Sequence, residues 1–469
     1  MSQAHPAAAD GERFSLWYLY RVVLVAAVGG FLFGYDLQII SGALIFLKGE
    51  FALGPNALGF AAGSALVGCL LGPLLIGAGL SDWLGRKKVL VMTAVLFGAG
   101  AIGTALPRTI AEFNAFRILG GIGVGVASIV SPMYIAEVAP ARLRGRLVTV
   151  NQLAIVVGCL LAFAAAYSLS FSASWRWMFA SSCIPVVALL LGLAFVPESP
   201  RWLVEKGRRE EAWAVLSRAN EPADAQREME EITAALAEET GTYRELFQPG
   251  MRIALLIAVV LAVLQQWTGV SIVILYAPLV FQKAGFSAAS DAILQSLIVN
   301  VWNLVCTVAA LWLVDRLGRR PLLLAGCIGM AAGLLLLGGV FAYDLQGVYV
   351  LVILSLCVGA YVVSLAPLAW LIMSEIFPTR IRGKAMSLAT ICLWLACYLG
   401  TQAFPPMVAY VEQRFGSAAG VFWSYACVCV FAALFVWRMV PETKGRTLEE
   451  IGRSWTPGRA GSQAQGVKS

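Results

Sequence analysis

Apolar residues come in long runs along this chain, separated by short polar intervals. Runs of roughly 20 residues, about the length that crosses 30 Å of hydrocarbon, fall near 22–46, 57–80, 89–106, 110–136, 147–170 and 177–196. After a longer polar interval they resume near 252–282, 292–314, 321–343, 347–374, 385–410 and 420–440. The pattern predicts about twelve spanning helices, many of them interrupted by Gly, Ser or Pro. The first run follows a polar stretch, Met1 to Arg13, and has no small-residue cleavage site at its end, so it reads as a retained helix and not a leader. The longest polar interval, Ser199 to Gly250, is rich in Glu, Arg and Ala at helical spacing, as in Arg227-Glu-Met-Glu-Glu-Ile232. It predicts short amphipathic helices lying under the cytoplasmic mouth of the bundle, with too few core positions for a separate catalytic domain.

Composition agrees. Of 469 residues, 59% are hydrophobic and only 13% charged, against about a quarter charged in soluble domains. The fold class is therefore an all-α membrane protein. The net charge of +7 is clustered. Arg86, Lys87 and Lys88; Arg142, Arg144 and Arg146; the stretch Arg201 to Arg209; Arg316, Arg319 and Arg320; and Arg380, Arg382 and Lys384 fall in alternate connections. The other connections hold scattered cations such as Lys48, Arg108, Lys283 and Arg414. By the positive-inside rule the clustered side is cytoplasmic, with both termini, in a multi-pass protein of the cell (inner) membrane. Nothing in this distribution suggests nucleic-acid binding.

The ten cysteines all lie in apolar runs without a CxxC pair, so they read as small core residues and not as disulfides or zinc ligands. The single histidine is His5. That excludes histidine proton relays, Ser–His triads and His-based metal sites, and with them a membrane-embedded enzyme built on such groups. No cofactor or metal is expected.

The chain repeats itself. Asp82-Trp-Leu-Gly-Arg86-Lys returns as Asp315-Arg-Leu-Gly-Arg319-Arg, 233 residues on (82 to 315). Glu137-x-x-Pro-x-Arg142-x-Arg144-Gly returns as Glu375-x-x-Pro-x-Arg380-x-Arg382-Gly, 238 residues on (137 to 375). Pro197-Glu198-Ser returns as Pro441-Glu442-Thr, 244 residues on (197 to 441). Two parallel six-helix repeats with a site between them are the architecture of major-facilitator transporters. The expected divisions are a first bundle 1–198, a helical linker 199–250, a second bundle 251–443 and a tail 444–469.

Each repeat carries acids and arginines at the predicted cytoplasmic helix ends. Asp82, Glu137 and Glu198 are placed to face Arg86, Arg144 and Arg201; Asp315, Glu375 and Glu442 are placed to face Arg319 and Arg382. Ion pairs exchangeable for water make a latch for an alternating-access machine. The other reading is that they mark orientation and cap helices.

Together Gly29-Gly-Phe-Leu-Phe-Gly-Tyr-Asp36, Arg117-Ile-Leu-Gly-Gly-Ile-Gly-Val-Gly125, Pro197-Glu-Ser-Pro-Arg201, Gln265-Gln266-x-x-Gly269 and Pro441-Glu-Thr-Lys-Gly445 resemble the sugar porter family. The likeness covers almost the whole chain and is greatest to bacterial proton–xylose symporter-like transporters. Gly121-x-x-x-Gly125, inside an apolar helix with no preceding strand, reads as close helix packing and not as a nucleotide loop.

Asp36 lies within an apolar run, where an ionised carboxylate costs about 2.5–3.5 kcal/mol on insertion scales. Arg117 is the other clearly intramembrane charge of the first half. The pair reads as a proton-coupling site, a role the resemblance also implies, or else as a permanent structural ion pair. A neutral, hydroxyl-rich ligand needs amides and aromatic rings. Gln152, Gln265, Gln266, Asn303, Trp370 and Trp394 match the family's sugar-contact positions, with Phe33, Tyr276 and Ser271 as further wall residues. Ser271, Leu275, Cys159, Leu393 and Cys397 stand where relatives carry polar groups, so the expected site is less polar and its substrate open, whether sugar, deoxy sugar or polyol.

The reading is a secondary active transporter that moves a small neutral monosaccharide or polyol with a proton, as a monomer in the lipid bilayer. An uncoupled facilitator and a transporter-like nutrient sensor are the rival readings.

Overall fold

The computed structural model describes residues 15–77, 79–237, 242–249, 251–345 and 347–442, and their side chains except those of Ile76, Gly77, Asp315, Thr379 and Arg380. The expectations placed on His5, on the tail 444–469 and on the Asp315 carboxylate lie outside what is described.

Among the described residues, twelve helices are long and apolar enough to cross a membrane. In chain order they are α1 Leu16–Glu50, α2 Pro55–Leu75, α3 Arg86–Ala105, α4 Ile110–Val138, α5 Arg144–Ser170 and α6 Trp175–Ala194. The second six are α7 Met251–Leu275, α8 Ala289–Val314, α9 Arg319–Ala342, α10 Val348–Glu375, α11 Ile381–Phe415 and α12 Ala419–Met439. They form an all-α membrane protein of two six-helix bundles. Ile184, Phe195, Ile328, Leu336 and Phe431 are each more than half exposed. Such a girdle of bare apolar side chains is stable against hydrocarbon and not against water.

Without a hydrophobic drive inside lipid, helices associate by close packing of small residues. The Gly121–Gly125 pair works this way between α4 and α2. A Cβ at Gly121 would come within 2.0 Å of the Ala65 carbonyl oxygen, and one at Gly125 within 2.6 Å of that of Cys69. The halves meet chiefly along α2 against α11 and α5 against α8.

Two spans are broken. α7 stops at Trp267 and restarts at Val270, with Gly269 at φ 84° between, and a further short helix, Ala277–Lys283, carries it on. α10 breaks at Ser364 (φ −119°, ψ −88°). The ten cysteines are free, and Cys427 departs from the expected core placement by being exposed on α12.

The linker forms three short helices, Pro200–Glu205, Arg209–Ala219 and Pro222–Ala237, and a 3-10 turn, Tyr243–Phe247. Trp202, Leu203, Ala212 and Val215 make a small core of their own, packed against Met229, Ile232 and Leu236. The helices dock on the first bundle. The Ser15 amide donates to the Arg218 carbonyl at 3.1 Å, and the Trp202 indole to the Asp82 carbonyl at 2.9 Å. α1 therefore starts at the linker end, and its last turn, with Lys48, lies at the opposite end. Towards that opposite end the halves are joined by Gln402, whose amide donates to the Asn56 carbonyl at 3.0 Å.

Candidate functional site

α1 and α4 carry the intramembrane ion pair. Arg117 Nη1 donates to Asp36 Oδ2 at 2.9 Å and Nη2 to the Asp36 carbonyl at 3.1 Å. Asp36 is 5% exposed and Arg117 2%. The guanidinium also faces Phe179, 5.5 Å from the ring centroid, on α6. A charge withdrawn from water needs its counter-charge and its hydrogen bonds. Here the arginine keeps two contacts, a carbonyl and an aromatic face, that do not depend on the carboxylate's charge. Neutralising Asp36 would loosen the pair without leaving the cation bare.

One helical turn before Asp36, Phe33 meets Trp394 of α11 edge-on at 5.8 Å between centroids. α1 thus links the ion pair to the second half. Trp394 is buried, and its indole Nε1 has no described acceptor. On α7, Gln265 is buried with Nε2 donating to the Ala366 carbonyl at 2.7 Å, and Gln266 Oε1 accepts from the Ser271 hydroxyl at 3.0 Å. Asn303 accepts from the Thr307 hydroxyl at its carbonyl, 2.9 Å, and at its Oδ1, 3.3 Å. Trp370 is 37% exposed, and Gln152 is exposed.

Tyr276 and Gln152 stand in contrasting surroundings. Tyr276 is buried, with its hydroxyl donating to the Thr401 carbonyl at 2.8 Å. The reason is Pro405: it has no N–H to take up that carbonyl in α11, so the tyrosine takes its place. On α5 the exposed Gln152 adjoins Asn151, which is buried with its Oδ1 occupying the space a Cβ on Gly30 would need.

At the linker end, Arg86 forks onto Glu137 through Nε and Nη2, both at 2.9 Å, and reaches Asp82 at 3.1 Å. Glu198 Oε1 accepts the amides of Arg86 at 2.9 Å and Lys87 at 3.0 Å, capping the start of α3. The second half repeats this more loosely. Arg319 reaches Glu375 at 3.3 Å, and Glu442 accepts the amides of Arg319 and Arg320, each at 3.1 Å, at the start of α9. Gly85 (φ 91°) and Gly318 (φ 87°) supply the left-handed backbone that turns each chain into its capped helix.

The pairings expected of Arg144, Arg201 and Arg382 differ. Arg144 pairs with Glu228 of the linker, because the docked helix Pro222–Ala237 brings that carboxylate to the start of α5. Arg201 is exposed, with no ion pair among the described residues. Arg382 donates to the Phe377 carbonyl at 3.4 Å. The pairs made by Arg86, Arg144 and Arg319 do not cross between the bundles; they tie helices within a half or the first half to the linker.

With this geometry in place, the family description "Sugar (and other) transporter" matches residues 22–455. The chain belongs to this family. It is similar to the D-xylose-proton symporter of Escherichia coli (strain K12), 40% identical over 94% of this chain and 96% of that one. It is 35% identical to the arabinose-proton symporter of Bacillus subtilis (strain 168), over 97% and 98% of the two chains. The inward open conformation of the E. coli xylose transporter XylE is similar in structure, with a TM-score of 0.82 and 38% identity over 93% of this chain and 100% of that one.

Within this sugar transporter fold, several polar groups escaped the sequence reading. Asn114, one turn before Arg117, and Asn300 are buried, each with an amide oxygen lacking a described donor, as is Gln38 Oε1. A buried amide in an apolar span was the available signal for all three. Phe179 and the Tyr35–Ser181 hydroxyl pair, 2.7 Å apart, had none, since many aromatics and serines lie in these spans.

Proposed function

We propose that the chain is a proton-coupled symporter of a neutral monosaccharide or polyol working by alternating access, with Asp36 and Arg117 as the coupling pair. The observation that carries this is a buried carboxylate–guanidinium pair one helical turn from the Phe33–Trp394 contact between the halves. Ionised, Asp36 holds Arg117 and fixes α1 against α4. Protonated, it frees α1 to move with the ligand. A membrane potential adds about 2.3 kcal/mol per charge per 100 mV to inward movement. The ligand site is drawn from Gln152, Gln265, Gln266, Asn303, Trp370 and Trp394, with Phe33 as a wall.

The acid–arginine clusters serve as stiffeners that let each bundle rock as one body, and the Arg144–Glu228 pair holds the linker to the first of them. One chain forms the working unit. It resides in the cell (inner) membrane with both termini and the linker in the cytoplasm, as the basic clusters support.

The deciding experiment is uptake of labelled sugars and polyols into proteoliposomes under an imposed pH gradient. The native chain should concentrate its substrate; Asp36→Asn should still exchange it down a gradient but no longer concentrate it. Concentrative uptake that survives Asp36→Asn would falsify the coupling assignment.

A further inference from the structure

A chamber lies away from the ion pair and the amides, at the end opposite the linker. Its volume is about 340 Å³, and none of Gln152, Gln265, Gln266, Asn303, Trp370 or Trp394 lines it. Its aromatic walls come from the second half. Tyr276 stacks on Phe404 with centroids 4.9 Å apart, and Phe341 on Phe422 at 5.0 Å. Three charges also line it. Lys283 and Glu412, both of the second half, pair with each other. Lys48, brought in by α1 of the first half, is exposed and has no described partner. The chamber therefore has an apolar body and one uncompensated positive charge, supplied from across the interface between the halves.

We infer that this chamber binds an amphipathic monocarboxylate of phenylalkanoate size, its apolar part against the aromatic walls and its carboxylate on Lys48. A volume of this order suits a small organic ligand, and an unpaired ammonium beside apolar surface selects an anion over a neutral or cationic analogue. Because both halves contribute walls, the ligand fits only at this separation of the bundles. It stabilises that conformation by its preference for it, and it slows transport without competing at the amide site.

The test uses the full chain in lipid nanodiscs and reads the thermal unfolding midpoint, so it does not depend on transport. 4-Phenylbutyrate is compared with 4-phenylbutyramide and 4-phenylbutylamine. The carboxylate should raise the midpoint most, with an affinity about fivefold above the amine's, the range of one partly solvated ion pair. Lys48→Glu, at an exposed position, should reverse the order of carboxylate and amine. Val408→Trp, which fills the chamber from α11, should abolish the response to all three. Equal responses of the native chain and Lys48→Glu, or displacement of the carboxylate by a transported sugar, would overturn the inference. A failure of proton coupling in proteoliposomes leaves this result untouched, so the two proposals stand or fall separately.

Discussion

Arg117 holds Asp36 through two different nitrogens, one on the carboxylate and one on the carbonyl, while its flat face rests on Phe179. A lysine keeps the charge but has neither the fork nor the plane. Arg117→Lys is therefore expected to leave the protein folded in the membrane and to lower concentrative uptake by about tenfold or more, the effect of losing one charge-assisted contact in a dry site. Uptake in proteoliposomes, normalised to inserted protein, checks this; native-level accumulation would mean that charge alone suffices. The pair was legible in the sequence because a carboxylate in an apolar run must find a counter-charge, and the first half offers one clear intramembrane cation. Phe179 was not, because an aromatic in an apolar helix is equally at home against lipid, core or guanidinium. The bond made by Tyr276 was hidden for a similar reason: its hydroxyl answers a carbonyl freed by Pro405, and that vacancy exists only once α7 and α11 lie side by side.

Whole spans were easier to read than their contacts. Runs of apolar residues fix where helices cross, since backbone groups in lipid have to be bonded within the helix. The Gly269 break in α7 was foreshadowed by Thr268, Gly269 and Pro278, whereas the Ser364 break in α10 carried little local sign. Gly121-x-x-x-Gly125 signalled a close crossing but not its partner, which is α2. Gly121→Val puts branched carbons where the Ala65 carbonyl oxygen already lies 2.0 Å from a Cβ position. The two helices then have to part, at a cost of about 1–3 kcal/mol, as for an overpacked core. The expected outcome is a lower thermal unfolding midpoint in detergent. An unchanged midpoint would show that the crossing tolerates a wider spacing.

On the scale of the molecule, two repeats carry one scheme at unequal tightness, and the linker is fastened to the tighter one through Arg144 and Glu228. Burial raises the Glu228 carboxyl above its ordinary value; Arg144 opposes this, and Glu231 and Asp224 add to it. A carboxyl that holds its proton more tightly when docked contributes stability below its free value, and that contribution is lost as pH rises through the docked value. The midpoint of the native chain relative to Glu228→Gln should therefore fall as pH rises from about 4 to 7. A difference that stays flat over this range would remove Glu228 from the account. The linker's helices could be read from charge spacing, but not the bundle they dock on, because an amphipathic face does not name its partner. By itself the sequence determined the span count, the repeat, the buried pair and the family, all of which follow from local hydrophobicity, charge cost and short motifs. Only the tertiary structure decided that the Arg86–Glu137 and Arg319–Glu375 pairs stay within the halves, that Asn151 is buried against Gly30 beside an exposed Gln152, and that a charged chamber opens opposite the linker. Those outcomes depend on which helix faces meet, and in lipid that choice rests on shape and small residues instead of hydrophobic contrast.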